Sequence, residues 1–198
     1  RTHQESIGIA GVQPACLINL GTDYLHKNDY ENAKKYFQEA NSLIHLHPMA
    51  KWRFETRILL GLGEISLAEG DYSQALKSAE DSLAMSEKAG AKKYISKGLK
   101  LKAETLAKTG KTEEAIELMQ NASKFAQEVG NPPLLWQTHY SLGLLLENQG
   151  NLQKANEHYA QAIALIEETA SKLDDKSLAN TLLTTQKTME IRDAYTRT

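Results

Sequence analysis

The chain has 198 residues, of which 41% are hydrophobic and 24% are charged, and its formal net charge is −2. This composition is typical of a folded, soluble protein rather than a disordered tail, and it gives no overall reason to expect nucleic-acid binding. No apolar run reaches the ~18 residues that a transmembrane helix requires. The single cysteine, Cys16, excludes an intramolecular disulfide and favours a cytoplasmic protein, in which we expect Cys16 to be buried in a helix.

The chain begins without an initiator methionine or an apolar signal segment. Residues 1–13 are therefore predicted to be a poorly ordered leader, or the end of a preceding repeat in a longer protein. Helices are expected almost everywhere after them, because strand signals are absent. The prolines are expected between helices, since a proline inside a helix removes a backbone hydrogen bond. They are Pro14, Pro48, Pro132 and Pro133.

Four similar turns recur along the chain, each between two helix-like segments. A small residue lies seven positions before each turn, and an alanine follows twelve positions after that small residue. Successive copies are offset by 42, 40 and 40 residues. The turns start at Asn28, Gly70, Gly110 and Gly150; the small residues are Gly21, Gly63, Ala103 and Gly143; the alanines are Ala33, Ala75, Ala115 and Ala155.

This spacing has a steric explanation. Two antiparallel helices can approach closely only where their side chains are small. Glycine inside a helix costs about 1 kcal/mol relative to alanine, so three glycines at one register indicate a packing demand. We therefore expect each small residue to face the alanine of the next helix. A second set of small residues is expected to admit the following repeat: Ala40, Ser82, Ala122 and Ala162.

The pattern resembles the tetratricopeptide repeat family, whose motif runs bulky–Leu–Gly–Tyr on one helix and Ala–aromatic–Ala on the next. Ser66, Ala79 and Lys102 depart from it in the second and third copies. The first and fourth copies match through Leu17, Leu20, Gly21, Tyr24, Ala33, Phe37 and Ala40, and through Leu142, Gly143, Leu146, Ala155, Tyr159 and Ala162.

The copies are longer than the usual ~34 residues, and in this they are similar to arrays of kinesin light chains and of bacterial signalling and transcription regulators. The resemblance implies an all-α, right-handed superhelix (an α-solenoid) of four helix-turn-helix repeats. The predicted repeats span about 14–47, 52–90, 93–130 and 133–170.

A single helix over residues 175–195 is predicted to cover the end of the fourth repeat, because a solenoid end needs its apolar face shielded. Asp174 is the expected N-cap, with Leu173 packed against Leu178. Residues at helical spacing form the expected buried stripe. They are Leu178, Leu182, Thr185 and Met189.

No motif for catalysis is present: the sequence has no Gly-rich phosphate loop, no Gly-x-Ser-x-Gly and no His-Glu-x-x-His. His45 and His47 could bind a metal, but two positions apart on a helix end they point in different directions. We expect His26, His139 and His158 to be half-buried packing residues. The chain is therefore predicted to be no enzyme, with no cofactor and no metal.

A binding groove is expected on the first helix of each repeat, which lines the concave side of such arrays. Fixed offsets from each small residue select the groove face. The candidates are Thr22, Arg57, Leu60, Glu64, Lys97, Lys100, Glu104, Lys108, Gln137, Tyr140 and Leu144, and the same offsets also select Ala15, Ile18, His26, Ala68 and Asn148.

The centre of this face is rich in lysine: residues 92–111 hold seven lysines and one acidic residue, Glu104. One interpretation is a solvated helix in which Glu104 pairs with Lys100 and Lys108. The other is a site for an acidic segment or a terminal carboxylate of a partner. In that hypothesis the cations are Arg57, Lys97 and Lys100, and apolar contacts come from Leu60, Tyr140 and Leu144.

Three functions are open at this point. The first is a protein-protein interaction scaffold, expected to be part of a larger cytosolic regulatory protein, that binds a peptide or protein in its groove. The second is a ligand- or peptide-sensing domain that controls an attached effector. Nucleic-acid binding through residues 92–111 is a lesser alternative, because that segment lacks arginine and has one aromatic residue, Tyr94. Self-association through the array ends is also open, and membrane binding is not expected.

Overall fold

A computed structural model describes the backbone from His3 to Thr198 and the side chains from residue 13 onward. Within those residues the chain forms ten α-helices and one short 3-10 helix, with no strand. The all-α class predicted from the sequence is therefore confirmed. The helices are α1 (His3–His26), α2 (Tyr30–Leu43), the 3-10 helix (Ile44–Leu46), α3 (Lys51–Glu69), α4 (Tyr72–Lys88), α5 (Lys92–Lys108), α6 (Thr112–Val129), α7 (Pro132–Asn148), α8 (Leu152–Ser171), α9 (Lys176–Leu183) and α10 (Gln186–Arg197).

The chain divides within α5 into two compact units, the first ending at Thr105 and the second beginning at Leu106. In the first unit α1 packs on α2, both contact α3, and α3 pairs with α4. In the second unit α6 packs on α7, α7 pairs with α8, and both α9 and α10 pack on α8.

The turns within the repeats share one backbone design. At the second turn, Gly70 has a positive φ of 83°, and the amide of Asp71 donates to the carbonyl of Ser66 at 2.8 Å. This left-handed residue ends one helix, and Asp71 caps the next by accepting from the amide of Gln74. The corresponding left-handed residues are Asn28, Gly110 and Gly150.

Pro14 contradicts the expectation that every proline lies outside a helix, because α1 runs through it from His3. The helix loses one backbone bond at Pro14, while the buried proline ring contributes to packing. Pro132 and Pro133 occupy the first positions of α7, where amides have no helical acceptor. The predicted leader also included Arg1 and Thr2, which lie outside the described residues.

Small residues do mark the helix crossings, but the nearest contacts of Gly21 and Gly143 differ from the expectation. A Cβ atom added at Gly21 would lie 2.7 Å from Cε1 of Phe37, and one added at Gly143 would meet the ring of Tyr159. Gly21 and Gly143 thus make room for the aromatic ring one turn beyond each alanine. A Cβ atom added at Gly63 would instead lie 2.6 Å from Cδ2 of Leu101, 2.9 Å from Cβ of Ser78 and 3.7 Å from the carbonyl oxygen of Ala75, so Gly63 does face the helix of its alanine as expected. The predicted alanines and the second small set are all fully buried: Ala33, Ala75, Ala115, Ala155, Ala40, Ser82, Ala122 and Ala162.

The C-terminal cover consists of two helices, not one, and its N-cap is Asp175 instead of Asp174. The break comes where the side chain of Thr185 caps α10 by accepting from the amide of Thr188 at 3.2 Å. The predicted stripe is wrong at both ends, because Leu178 is 57% exposed and Met189 is 45% exposed. Between them, Leu182 packs against the cluster of Trp136 and Ile191, and Thr185 is half-buried. The buried residues of the cover are Ala179, Thr188, Ile191 and Ala194.

Candidate functional site

The predicted groove face separates into residues that pack and residues that remain accessible. Three positions before the small residue, Ile18 and Leu60 are 0% and 4% exposed. Leu60 belongs to a core cluster with Ala79 and Leu101, so the prediction that Leu60 contacts a partner is wrong. This register packs one repeat on the next, because the following helix covers it.

The accessible charged face of the first unit is formed by α3 and α5. Arg57 and Glu64 are seven residues apart on α3, and Lys97 and Glu104 are seven apart on α5, so each pair shares one side of its helix. All four side chains are partly exposed. We call these four residues, together with Lys100, the charged face.

Arg57 is held in position by the first repeat. Its Nη2 donates to the Oδ1 atom of Asn19 on α1 at 2.5 Å. This neutral partner orients the guanidinium without neutralising it, so the charge of Arg57 remains available to a ligand.

Lys100 lies at the same register as Ile18 and Leu60, and it is correspondingly well covered. Its ammonium pairs with Glu104 at 2.8 Å, with side-chain exposures of 21% and 27%. Burial acts to lower the pKa of Lys100, but the carboxylates of Glu104 and Glu64 outweigh it and raise that pKa above the ordinary value. The positive charge of Lys100 is therefore already balanced by carboxylates of this chain, which agrees with the interpretation that Glu104 pairs with Lys100.

The positive charge of Lys97, in contrast, is not balanced by a paired carboxylate within the described part of the chain. Burial lowers the pKa of its ammonium below the ordinary value, Glu64 opposes that effect, and the positive charges of Lys93, Lys100 and Arg57 lower it further. No ion pair to Lys97 occurs among the described residues. The ammonium is thus partly desolvated and under-compensated, and a carboxylate from a ligand would stabilise it.

Other lysines of the segment 92–111 differ in their surroundings. Lys102 pairs with Glu80 of α4 at 2.9 Å, and Lys100 is occupied by Glu104. Lys108 is exposed near the end of α5, where it belongs to the second unit.

In the second unit the predicted groove residues lie on α7, and α10 covers part of that face. The ammonium of Lys187 lies 4.5 Å from the ring centre of Tyr140. Trp136 packs in a cluster with Ile191, at whose edge Tyr140 lies. Gln137 and Leu144 are half-buried. Tyr140 is therefore partly occupied by the cover, an arrangement that the sequence pattern did not reveal.

A histidine pair joins α7 and α8 in the second unit. The Nδ1 atoms of His139 and His158 are 3.1 Å apart, and the ring centres are 5.3 Å apart with planes at 23°. In this geometry the two nitrogen atoms face each other, and one hydrogen bond forms when one ring carries its proton on Nδ1 and the other does not. Burial and the neighbouring His158 lower the pKa of His139 to about 4. Both rings are half-buried, as expected, but their contact was missed because they are 19 positions apart.

Two other single-residue expectations are wrong. Cys16 is exposed instead of buried, and His26 is exposed instead of half-buried. Both lie on α1. His47 packs edge-on against Phe54, with ring centres 6.1 Å apart.

Within residues 13–198 no group of three or more His, Cys, Asp or Glu side chains is arranged to hold a metal ion. Among the helices that the structure describes, none combines the length and apolar character that crossing a membrane requires.

Comparison with known proteins identifies the class. Models described as tetratricopeptide repeat match residues 94–168 and residues 15–44, together about half of the chain. No curated protein sequence matches significantly. The chain belongs to the tetratricopeptide repeat family, and the helical hairpins described above are its repeats.

Solved structures agree with this assignment at the level of the fold. The apo form of RapI superposes with a TM-score of 0.65 at 13% identity, over 93% of this chain and 68% of that one. BtubC from P. vanneervenii gives 0.62 at 15% identity, over 100% and 91%. Kinesin light chain TPR-like repeats from Podosopora anserina give 0.55 at 14% identity, over 96% and 98%. The α-solenoid class is thereby confirmed. Membership of the tetratricopeptide repeat family supports the general function of a protein-protein interaction scaffold.

Proposed function

We propose that the charged face of the first unit binds an acidic segment of a partner protein, with Lys97 as the principal contact. The observation that carries the proposal is the ammonium of Lys97, which has no ion pair among the described residues and whose pKa is lowered by burial and by Lys93, Lys100 and Arg57, although Glu64 opposes this. Arg57, held by Asn19, supplies a second donor on the same face. Together these two groups suit a carboxylate-rich, extended segment.

The exposed thiol of Cys16 supports a cytoplasmic setting for this activity, because free surface thiols persist best in a reducing compartment. Nucleic-acid binding is disfavoured, since Lys100 and Lys102 already have carboxylate partners.

A direct test uses two fluorescein-labelled 12-residue peptides that differ only in carrying glutamate or glutamine. We expect the glutamate peptide to bind more tightly, and Lys97→Glu to weaken it about tenfold, because the variant places a like charge against the incoming carboxylates. Lys77→Glu is the matched control: it makes the same charge change on an exposed position of α4. Equal binding of both peptides, or equal losses in the two variants, would contradict the proposal.

A sensing role for a larger protein is the second candidate, and the position of α10 favours it. Its ion pair between Arg197 and Glu147 at 2.9 Å involves a largely exposed arginine, and its Lys187 lies over Tyr140. A ligand that binds Tyr140 would have to displace α10. Because Trp136 packs beside Ile191, such displacement would change tryptophan fluorescence. A partner that binds without changing this fluorescence would argue against the sensing role.

A further inference from the structure

The first unit contains a cleft on the side of α3 that faces away from the charged face. Its volume is about 560 Å³, within the ~300–1,000 Å³ typical of ligand clefts. It lies between α2 and α4, with α3 as its floor. Phe37 lines it from α2 and Met85 from α4.

The cleft is independent of the charged face by helix geometry. Glu55 lines the cleft, whereas Arg57, two positions later on α3, belongs to the charged face. Two positions in a helix correspond to a rotation of roughly 200°, so the two residues point in nearly opposite directions. A ligand in the cleft and a ligand on the charged face would therefore contact different sides of the unit.

The floor of the cleft is apolar, and one wall carries a small side chain at Ala84. Ile58, Leu59 and Leu62 form the floor, and Met85 is half-buried beside them. Two lining residues of α4 are exposed, Asp81 and Ala84, and Ala84 leaves a methyl group where a larger residue would fill the space. An apolar side chain inserted here would exchange water for these surfaces.

The rim of the cleft is acidic. Its two charged lining residues are Glu55 on α3 and Asp81 on α4. Glu55 is partly compensated by Lys51 at 3.4 Å, whereas Asp81 has no ion pair among the described residues. The uncharged rim residues, Gln38 and Asn41, add hydrogen-bonding groups without positive charge. A complementary ligand is apolar at its centre and cationic at its edge.

We infer that this cleft is a second docking site, which takes a basic amphipathic helix from a partner protein. A groove bounded by two helices over a third accepts a helix whose apolar residues recur every three to four positions. On such a helix a Lys or Arg one turn from the apolar anchor reaches Asp81. The inference rests on the scaffold role and extends it: the charged face of the first unit binds acidic segments, and the cleft binds basic ones.

The test uses a labelled 14-residue helical peptide of leucine and lysine, with a leucine–glutamate peptide of the same pattern as the charge control. Binding is measured by fluorescence anisotropy to the full chain. We expect the lysine peptide to bind at least tenfold more tightly. Ala84→Trp, which fills the cleft from an exposed position, and Asp81→Lys, which reverses the rim charge, should each weaken it about tenfold.

Two matched variants show whether the lysine peptide occupies this cleft. Glu87→Lys changes a charge at an exposed position of α4 outside the lining, and it should change the lysine peptide's affinity by less than twofold. Lys97→Glu should also leave the affinity for the lysine peptide unchanged. A failure of the proposal for the charged face can therefore be distinguished from a failure of the inference about the cleft. Unaltered binding by Ala84→Trp, or equal losses in Glu87→Lys, overturns the inference. A dimer in sedimentation that Ala84→Trp abolishes also overturns it, by assigning the cleft to a second copy.

Discussion

Replacing Gly143 by alanine tests the steric basis of the repeat. The added methyl group would lie 2.6 Å from Cδ1 and 2.9 Å from Cζ of Tyr159, well inside van der Waals contact. The ring cannot retreat easily, because Tyr159 is fully buried and its hydroxyl donates to Glu147 at 2.6 Å. Glu147 is itself held by Arg197, whose Nε donates to it at 3.0 Å.

The expected change in stability is a balance of two terms. Alanine gains about 1 kcal/mol over glycine from helix propensity. Overpacking costs about 1–3 kcal/mol, and strain on the charged hydrogen bond of Tyr159 adds about 1.5–3 kcal/mol if that bond is lost. We therefore expect Gly143→Ala to lower the free energy of unfolding by about 1–3 kcal/mol, measured by urea denaturation followed by circular dichroism.

A double-mutant cycle isolates the contact. In a Tyr159→Leu background the ring is absent, so Gly143→Ala should be neutral or stabilising by up to about 1 kcal/mol. Leucine is a suitable replacement because the corresponding position in the second repeat, Ala79, shows that no aromatic ring is obligatory there. If Gly143→Ala stabilised the native chain, or destabilised both backgrounds equally, the close approach of Gly143 and Tyr159 would not be the reason for the glycine.

Two further predictions concern the second unit. Because the pKa of His139 is lowered to about 4, the native state binds fewer protons than the unfolded state between pH 4 and about 6.5. The free energy of unfolding should therefore fall as pH decreases through this window, by about 1–2 kcal/mol after allowance for partial exposure. Urea titrations at several pH values measure this change, and His139→Gln should make it smaller. The same dependence of stability on pH in the variant would contradict this. Asn131 caps α7 by accepting from the amide of Leu134 at 3.1 Å, so Asn131→Ala should cost about 1 kcal/mol in the same assay while Asn131→Ser restores most of it; equal stability of the two variants would refute the capping role.

Local sequence determined the repeat, its turns and its buried small residues. Left-handed backbone at Gly70 and Gly150 and small side chains at Ala33 and Ala155 are demands of short-range geometry. Such demands select the same residue types at a fixed spacing, so they can be recognised from the sequence alone. The lysine-rich composition of α5 was also visible.

Tertiary structure decided which of the predicted groove side chains are exposed and which of their charges have a partner. Leu60 and Tyr140 occupy equivalent positions, but one is buried in the core and the other lies half-buried under α10. Lys97 and Lys100 are three residues apart, yet Lys100 is paired with Glu104 and Lys97 is not. Exposure and charge compensation depend on neighbours that are distant in sequence, and for the same reason the acidic cleft beside Ala84 appeared only in the folded chain.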